Sequence, residues 1–148
     1  MQPQWKKLGR PLTDGDVAEL ERSLMHRLPP DYREFLLRTN GAVPVPRVVG
    51  APNSAQEWSI NVFFGLTRDV ASSNLWSVLN DVRGTLPHRY FPVAATDTGE
   101  FILLDRRAGG PVVLWQWQED ITLGVNPHLH TLAPDFTSFL HAFRADPT

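Results

Sequence analysis

The sequence predicts an α+β domain in which an antiparallel-rich sheet packs against helices from the N-terminal and C-terminal parts of the chain. Apolar residues recur at helical spacing in two segments before residue 42 and again after residue 134. Between them, short apolar runs are separated by Gly-containing turns that are too short for parallel connections. Strands grouped between terminal helices are typical of the α+β class.

The first helix is predicted from a capping sequence at its start. Thr13 followed by Asp16 forms a capping box, with Asp in place of the preferred Glu or Gln. Helical spacing then continues through the apolar residues Val17, Leu20, Leu24 and Leu28. We expect this helix to run to about Arg27, because the pair Pro29-Pro30 stops it.

The second helix is predicted together with both of its ends. Pro30 suits the first helical turn, and Asp31 places a negative charge near the positive end of the helix dipole. The inward-facing residues at helical spacing are Tyr32, Phe35, Leu36 and Thr39. Asn40-Gly41 follows and tolerates a positive φ, so we expect the helix to stop there.

The middle of the chain contains a loop, a strand and a helix. Pro44-Val45-Pro46 excludes a helix, and we expect an irregular loop from Ala42 to about Glu57. The alternation over Trp58–Phe64 predicts a half-buried strand, and Asp69 is expected to cap a helix. The apolar residues of that helix are Val70, Leu75, Val78, Leu79 and Val82.

Three strands and a closing helix follow. The strands are predicted over about Tyr90–Ala95, Glu100–Arg106 and Pro111–Gln118. The turns between them are Asp97-Thr98-Gly99 and Ala108-Gly109-Gly110. Pro134 suits the first turn of the last helix, whose apolar face is Phe136, Phe139, Leu140 and Phe143.

Composition bounds the class of protein. The length of 148 residues predicts one domain over residues 1–148, with residues 1–12 as a tail that packs partly through Trp5 and Leu8. The absence of cysteine excludes disulfides and thiolate catalysis. No secretory signal and no apolar run long enough to span a bilayer is found in the sequence, so we expect a cytoplasmic protein.

The net charge is small but unevenly placed. It is 14 − 16 = −2, too small to predict direct binding to nucleic acid or to a membrane. Residues 1–50 carry 8 basic and 6 acidic residues, whereas residues 51–148 carry 6 and 10, which gives +2 and −4. The asymmetry is either ordinary surface variation or an acidic face that meets a basic partner.

The sequence holds no complete metal motif and no complete catalytic motif. His128 and His130, with Asp135 nearby, could place two imidazoles beside a metal, but no CxxC or HExxH pattern supplies further ligands. His26, His88 or His141 could serve as further metal ligands only if the tertiary structure brought them close to this pair. Ser72-Ser73 lacks the GxSxG elbow of a nucleophile. We therefore expect no catalytic residue, no metal and no cofactor.

Three carboxylates allow an alternative interpretation, in which the protein has an acid/base catalytic site. Asp97, Glu100 and Asp105 flank predicted strand ends, where an acid/base pair could form. The structural interpretation places Asp97 in a turn and the other two at the ends of an apolar strand. A small hydrolase that uses Asp97 and Asp105, or His128 and His130, is the least favoured function.

The tryptophans indicate a binding surface. Trp115 and Trp117 lie two residues apart on a predicted strand and therefore point to the same face. If helices cover that face, both belong to the core; if it is open at one edge, Trp117 forms an aromatic anchor beside two acids. Trp76 is a second candidate for exposure. The candidate partner-binding residues are Trp117, Glu119, Asp120, Trp76, Asp97 and Glu100.

The order of these segments resembles the SUKH superfamily. The most specific segment is the second helix with its two ends. Its motif residues are Leu28, Pro29, Asp31, Tyr32, Phe35, Leu36, Asn40 and Gly41. Further similar segments are Leu8–Thr13, Phe91–Ala94, Asp97–Asp105, Val113–Glu119 and Phe136–Leu140. Little resemblance is found over residues 42–86.

The resemblance implies a SUKH-like single domain and a function. The superfamily includes bacterial toxin-immunity proteins and a fungal regulator of cell-wall assembly. For this chain it implies an immunity protein that binds a cognate toxin domain of a polymorphic or contact-dependent toxin and occludes its active site. The alternative is a regulatory protein-interaction module of the cell-wall-regulator type.

Overall fold

The computed structural model describes residues 2–52, 55–82, 84–86, 89–107, 109–116 and 129–144. Its α-helices in this part of the chain are α1 (Asp14–Leu24), α2 (Pro30–Thr39), α3 (Leu75–Val82) and α4 (Phe136–Leu140). A short 3-10 helix, Ala71–Ser73, precedes α3. The strands are β1 (Gln4–Lys6), β2 (Val43–Val45), β3 (Val48–Gly50), β4 (Glu57–Phe63), β5 (Tyr90–Thr96), β6 (Phe101–Asp105), β7 (Val112–Trp115) and β8 (Leu129–Ala133).

The architecture is the predicted α+β fold. Six strands form one sheet in the order β3-β4-β5-β6-β7-β8, and each neighbouring pair is antiparallel. β1 and β2 form a separate antiparallel pair. Helices from the beginning and end of the chain pack on the main sheet, as the contacts among Tyr32, Phe91 and Phe136 show.

The main sheet is strongly curved. In a flat sheet β4 and β8 would lie about 19 Å apart, because four strand spacings separate them. The rings of Trp58 on β4 and His130 on β8 nevertheless have centroids only 5.6 Å apart. Register shifts interrupt three of the strand pairs, and such bulges bend strands. The concave face therefore encloses the principal core.

That core is rich in aromatic rings contributed by distant segments. Phe35 on α2 is buried and contacts the rings of Phe63 at 5.1 Å and Phe136 at 5.4 Å. Trp5 of β1 meets Phe35 edge to face at 4.9 Å. A smaller cluster on the convex face contains Val82, Tyr90, Leu103, Val113 and Trp115. The two clusters bury both faces of the central strands.

The predicted start of the first helix and both predicted ends of the second are confirmed. Thr13 and Asp16 form the reciprocal capping box, with bonds of 3.2 and 2.9 Å. The helix α2 ends at Thr39, after which Asn40 and Gly41 both have positive φ, +46° and +91°. The helix α1 ends at Leu24, slightly before the predicted Arg27.

The prediction of a tail followed later by an irregular loop is wrong in part. Residues Gln4–Lys6 are a strand that pairs with Val43–Val45, and β3 lies within the segment predicted as loop. Leu8 is half exposed rather than packed. Pro44 is tolerated in β2 because that strand belongs to a two-stranded pair, where a missing N–H is easily accommodated. β1 and β2 form through pairing between segments that are far apart in the chain.

Other differences concern α3, α4 and β8. Asp69 does not cap a helix; instead Oδ1 of Asn74 accepts the backbone N–H of Ser77 at 3.2 Å. The helix α4 begins at Phe136 after its N-cap Asp135, so Pro134 precedes the helix instead of lying in its first turn. β8 was not predicted as a strand, because its sequence has only a short apolar run.

Within the described residues, no helix has the length and apolar character needed to cross a membrane.

Candidate functional site

Two of the predicted partner-binding residues lie together at one end of the sheet. Asp97 and Glu100 belong to the turn between β5 and β6, which we call the acidic turn (Thr96–Glu100). Asp97 is exposed and lies 3.5 Å from the guanidinium of Arg47. Glu100 accepts hydrogen bonds from the hydroxyls of Thr96 and Thr98. The threonines of the turn thus hold the carboxylate of Glu100, whereas Asp97 is paired with Arg47 from outside the turn.

The hydroxyls also keep Glu100 charged. Its partial burial alone would raise the pKa of the carboxyl group. Hydrogen bonds from Thr96 and Thr98 outweigh that effect and lower the pKa below its ordinary value. Glu100 therefore carries a negative charge at neutral pH although it is half buried.

The end of β7 lies beside the acidic turn. Trp115 pairs with Phe101, so Gln116 lies at the same end of the sheet as Glu100. Three further predicted site residues, Trp117, Glu119 and Asp120, follow Gln116 in the chain and lie outside the described residues.

His130 has partners other than a metal. Its Nε2 lies 2.9 Å from Oε1 of Gln116, and its ring lies beside Trp58. Asp135 accepts the N–H of Ser138 at 2.7 Å as the α4 cap, and His128 lies outside the described residues. In the part of the chain that is described, no group of three His, Asp or Glu side chains is placed to hold a metal ion.

Asp97 and Asp105 do not form an acid/base pair. Asp105 pairs with Tyr90 at the start of β5, whereas Asp97 follows the end of that strand. The separation along seven strand residues is about 20 Å. The interpretation of these two carboxylates as a hydrolase site is therefore wrong, because antiparallel pairing sends them to opposite ends of the sheet.

Asp105 instead organises two arginines. Its buried carboxylate accepts Nε–H of Arg89 at 2.6 Å, Nη2–H of Arg107 at 3.1 Å and the backbone N–H of Arg107 at 2.7 Å. Burial would raise the pKa of Asp105, but the bonds from Arg107 and Arg89 hold it below its ordinary value. The same contact raises the pKa of Arg107. Arg89 also lies over the ring of Tyr90, at 5.4 Å.

A groove of about 470 Å³ lies next to this arginine cluster. It runs between the C-terminal ends of α1 and α3 and the start of β5, and we call it the helix-end groove. Its lining residues are Ser23, Leu24, Met25, His26, Leu79, Val82, Gly84, Leu86, Tyr90 and Arg106. Arg106 spans one wall, where Nη1 donates to the carbonyl of Leu24 at 2.7 Å. Burial lowers the pKa of its guanidinium.

The remaining predicted candidates are separated from the acidic turn. Trp115 is buried in the convex cluster, which agrees with its interpretation as a core residue. Trp76 is half buried against the principal core on α3, and α3 follows the opposite end of β4. The structure therefore brings Asp97 and Glu100 together and leaves Trp76 elsewhere.

The motif of the second helix has a structural role beyond its own ends. The carboxylate of Asp31 accepts the N–H and the hydroxyl of Thr137 at 3.1 and 2.9 Å, which joins α2 to α4. The buried Asn40 side chain accepts the N–H of Leu66 at 2.7 Å and donates to Thr67 at 2.5 Å. These residues connect distant segments, so the motif fixes the fold rather than a site.

Comparison with known proteins identifies the family. A sequence model of the SMI1 / KNR4 family (SUKH-1) matches residues 11–142. The chain therefore belongs to the SMI1 / KNR4 family, within the SUKH superfamily that its helix motif resembles. The superfamily includes toxin-immunity proteins, and its domains generally act through protein–protein interaction. No curated protein matches the chain.

Sequence reasoning missed the helix-end groove and its arginines. A usable signal was present, because Arg89 precedes the strand that starts at Tyr90, and Arg106-Arg107 follow the strand that ends at Asp105. Antiparallel pairing of those strands places all three arginines at one end of the sheet. The packing of the α1 and α3 ends beside them could not be read from local sequence.

Proposed function

We propose that this protein is an immunity protein, which binds the toxic domain of a bacterial polymorphic or contact-dependent toxin and occludes its active site. Membership of the SMI1 / KNR4 family carries the proposal, because the superfamily includes proteins of this function. The protein is a binder in this proposal and performs no chemistry. It acts in the cytoplasm as one domain, where the toxin would otherwise reach its target.

The proposed contact surface is centred on the acidic turn. Asp97 is exposed there, and Glu100 stays ionised beside it. Gln116, at the same end of the sheet, leads directly in sequence to Trp117, Glu119 and Asp120. Toxin sites that act on nucleic acid carry positive charge, so acidic groups would steer the encounter and compete with substrate. Trp117 would supply the apolar anchor that charge alone does not provide.

The ion pair between Arg47 and Asp97 limits how much of this charge is available. Asp97 is already partly neutralised at 3.5 Å, whereas the hydroxyl partners of Glu100 leave its negative charge intact. We therefore assign the larger share of the steering to Glu100, Glu119 and Asp120.

The test is a kinetic binding assay against the toxin domain encoded next to this gene, at two salt concentrations. The double variant Glu119→Lys with Asp120→Lys should slow association about tenfold at low salt and reduce its salt dependence. Trp117→Ala should mainly speed dissociation. The matched control is Glu19→Lys with Glu34→Lys, which changes the charge equally at exposed positions of α1 and α2.

Two results would contradict the proposal at different levels. If the folded site variants and the control bind with the same rates as the wild type, the interface lies elsewhere. Residues 42–57 would then be the next segment to examine. If the adjacent gene encodes no toxin and no binding is measured, the regulatory interaction module replaces the immunity function.

A further inference from the structure

The helix-end groove lies at the opposite end of the sheet from the acidic turn, and its charge is opposite. Two residues that line the groove mark its position: Tyr90 is the first residue of β5, and Arg106 follows Asp105, the last residue of β6. The acidic turn joins the other ends of these two strands. The groove is therefore a separate surface from the one assigned to the toxin.

The segments that line the groove carry a net positive charge in a chain whose net charge is −2. This charge belongs to the described residues that line the groove and to their immediate chain neighbours. The cations are Arg22, Arg27, Arg89, Arg106 and Arg107, and the anions are Asp81 and Asp105, which gives 5 − 2 = +3. Asp105 is buried beneath Arg89 and Arg107, so the outward-facing groups of that cluster are guanidiniums.

The floor of the groove is apolar. Leu24, Leu79, Val82 and Leu86 line it, and Tyr90 adds an aromatic ring. Met25 lies on the rim with 90% of its surface exposed, although methionine is an apolar residue. A flexible, exposed methionine beside an apolar depression is typical of surfaces that accept the side chains of a partner.

The arginines around this floor are held in position. Arg89 is fixed by the carboxylate of Asp105 and by the ring of Tyr90, and Arg106 by the carbonyl of Leu24. The backbone N–H of Arg106 also donates to the carbonyl of Arg89 at 2.9 Å. Guanidiniums fixed in this way lose little side-chain freedom when they bind carboxylates, which match their planar geometry.

We propose that the helix-end groove binds a segment of a partner polypeptide in which an apolar side chain is flanked by aspartate or glutamate. The apolar side chain enters the floor between Leu79 and Tyr90, and the flanking carboxylates meet the arginines of the rim. The net positive charge of the segments that line the groove, the exposed guanidiniums above the buried Asp105 and the apolar lining together carry this assignment.

Other polyanions fit the groove less well. A nucleic-acid site presents a broad basic surface, whereas this positive charge is local in a chain with a pI of about 6.2. A membrane-binding site exposes projecting apolar groups within a cluster of basic residues. Here most of the apolar groups form a depression between two helix ends.

Met25 provides a direct probe of this surface, because the chain contains only 2 methionines. Methyl-labelled methionine in the full chain therefore gives two signals, and the signal of Met25 reports on the groove. The probe peptide is acetyl-Glu-Asp-Leu-Phe-Asp-Glu-amide. One comparison peptide replaces the Leu-Phe pair by Gly-Gly, and another replaces the four acids by lysine.

The expected result is a saturable shift of the Met25 methyl signal with the acidic apolar peptide alone. Arg22→Glu with Arg27→Glu should weaken this binding about tenfold or more, because it reverses two charges beside the rim. The neutral pair Arg22→Gln with Arg27→Gln should lose less affinity for the peptide. It keeps the test valid if the charge-reversed variant fails to fold. The matched control, Lys6→Glu with Arg38→Glu at exposed positions away from the groove, should bind within about twofold of the wild type.

Several outcomes would overturn the assignment. They are no shift at millimolar peptide, an equal shift with the Gly-Gly or lysine peptide, and an equal loss in the control variant. Preferential binding of phosphatidylserine vesicles or of a DNA oligonucleotide would replace the polypeptide by another class of anion. Because this test uses no toxin, its failure leaves the proposed immunity function untouched. Failure of the toxin-binding assay likewise leaves the proposal for the groove untouched.

Discussion

Replacement of Gly41 by alanine tests why the second helix ends where it does. Gly41 has φ = +91°, a conformation that costs an L-residue about 1–2 kcal/mol. A Cβ at this position would also lie 2.6 Å from Nε of Arg68 and 3.0 Å from the backbone nitrogen of Gly65. The substitution therefore adds steric overlap to backbone strain.

The overlap cannot be relieved by a small movement. Arg68 is tied to the carbonyl of Lys7 through its Nη2, and its Nε is buried. The N–H of Gly65 donates to the carbonyl of Ser73 at 3.1 Å. Overpacking of this kind costs about 1–3 kcal/mol. We expect Gly41→Ala to lower the free energy of unfolding by about 3 kcal/mol in total.

Gly84 supplies the matched control. Its φ is +87°, close to that of Gly41, but a Cβ there meets no atom of the described residues within 4 Å. Gly84→Ala should therefore lower the free energy of unfolding by the strain alone, about 1–2 kcal/mol. Urea denaturation, with the same m-value for both variants, measures the difference.

Equal losses in the two variants would refute the steric part of this reasoning. A wild-type midpoint for Gly41→Ala would refute the backbone part as well. Combining Gly41→Ala with Arg68→Ala gives an independent check, because removal of the obstructing side chain should recover part of the steric loss.

Three further substitutions test the core and the buried charge. Phe35→Ala should lower the free energy of unfolding by about 3–5 kcal/mol in urea, because it leaves a cavity among the core rings. Tyr32→Phe should leave it unchanged or raise it slightly, since the buried hydroxyl has no hydrogen-bond partner among the described residues. The pKa of Asp105 is lower in the folded state than in the unfolded state, where it is about 3.9. The ionised carboxylate therefore stabilises the fold fully above that unfolded pKa, and the stabilisation is lost as the pH falls from there through the folded-state pKa. Asp105→Asn should therefore cost about 2 kcal/mol at pH 7, and thermal melts should show the difference from wild type shrinking below about pH 4.

The sequence determined the elements whose signals are local. The capping box at Thr13, the periodic face of α2 and the residues Asn40-Gly41 fix two helices without reference to the rest of the chain. Strong apolar runs with tight turns likewise predicted β5, β6 and β7. In these segments backbone propensity, side-chain periodicity and turn chemistry agree, so no distant contact was needed to predict them.

The short strands could not be predicted in this way. β1, β2 and β3 contain three residues each, too few for an alternating pattern, and β2 has Pro44 at its centre. They exist because a partner strand satisfies their backbone groups and because Trp5 packs on Phe35. β1 and β2 are far apart in the chain, and β3 is too short to carry a propensity signal of its own, so local propensity does not predict these strands.

For the candidate surfaces, too, the sequence determined some features and the tertiary structure decided the others. The sequence by itself determined the family, the acidic composition of the turn after β5, and the presence of Arg89, Asp105, Arg106 and Arg107. Only the tertiary structure decided that Asp97 and Asp105 lie at opposite ends of the sheet, and that the ends of α1 and α3 form a groove beside the arginines. The physical reason is that antiparallel pairing and helix packing set these distances through contacts between residues far apart in the chain, which no local pattern of side chains encodes.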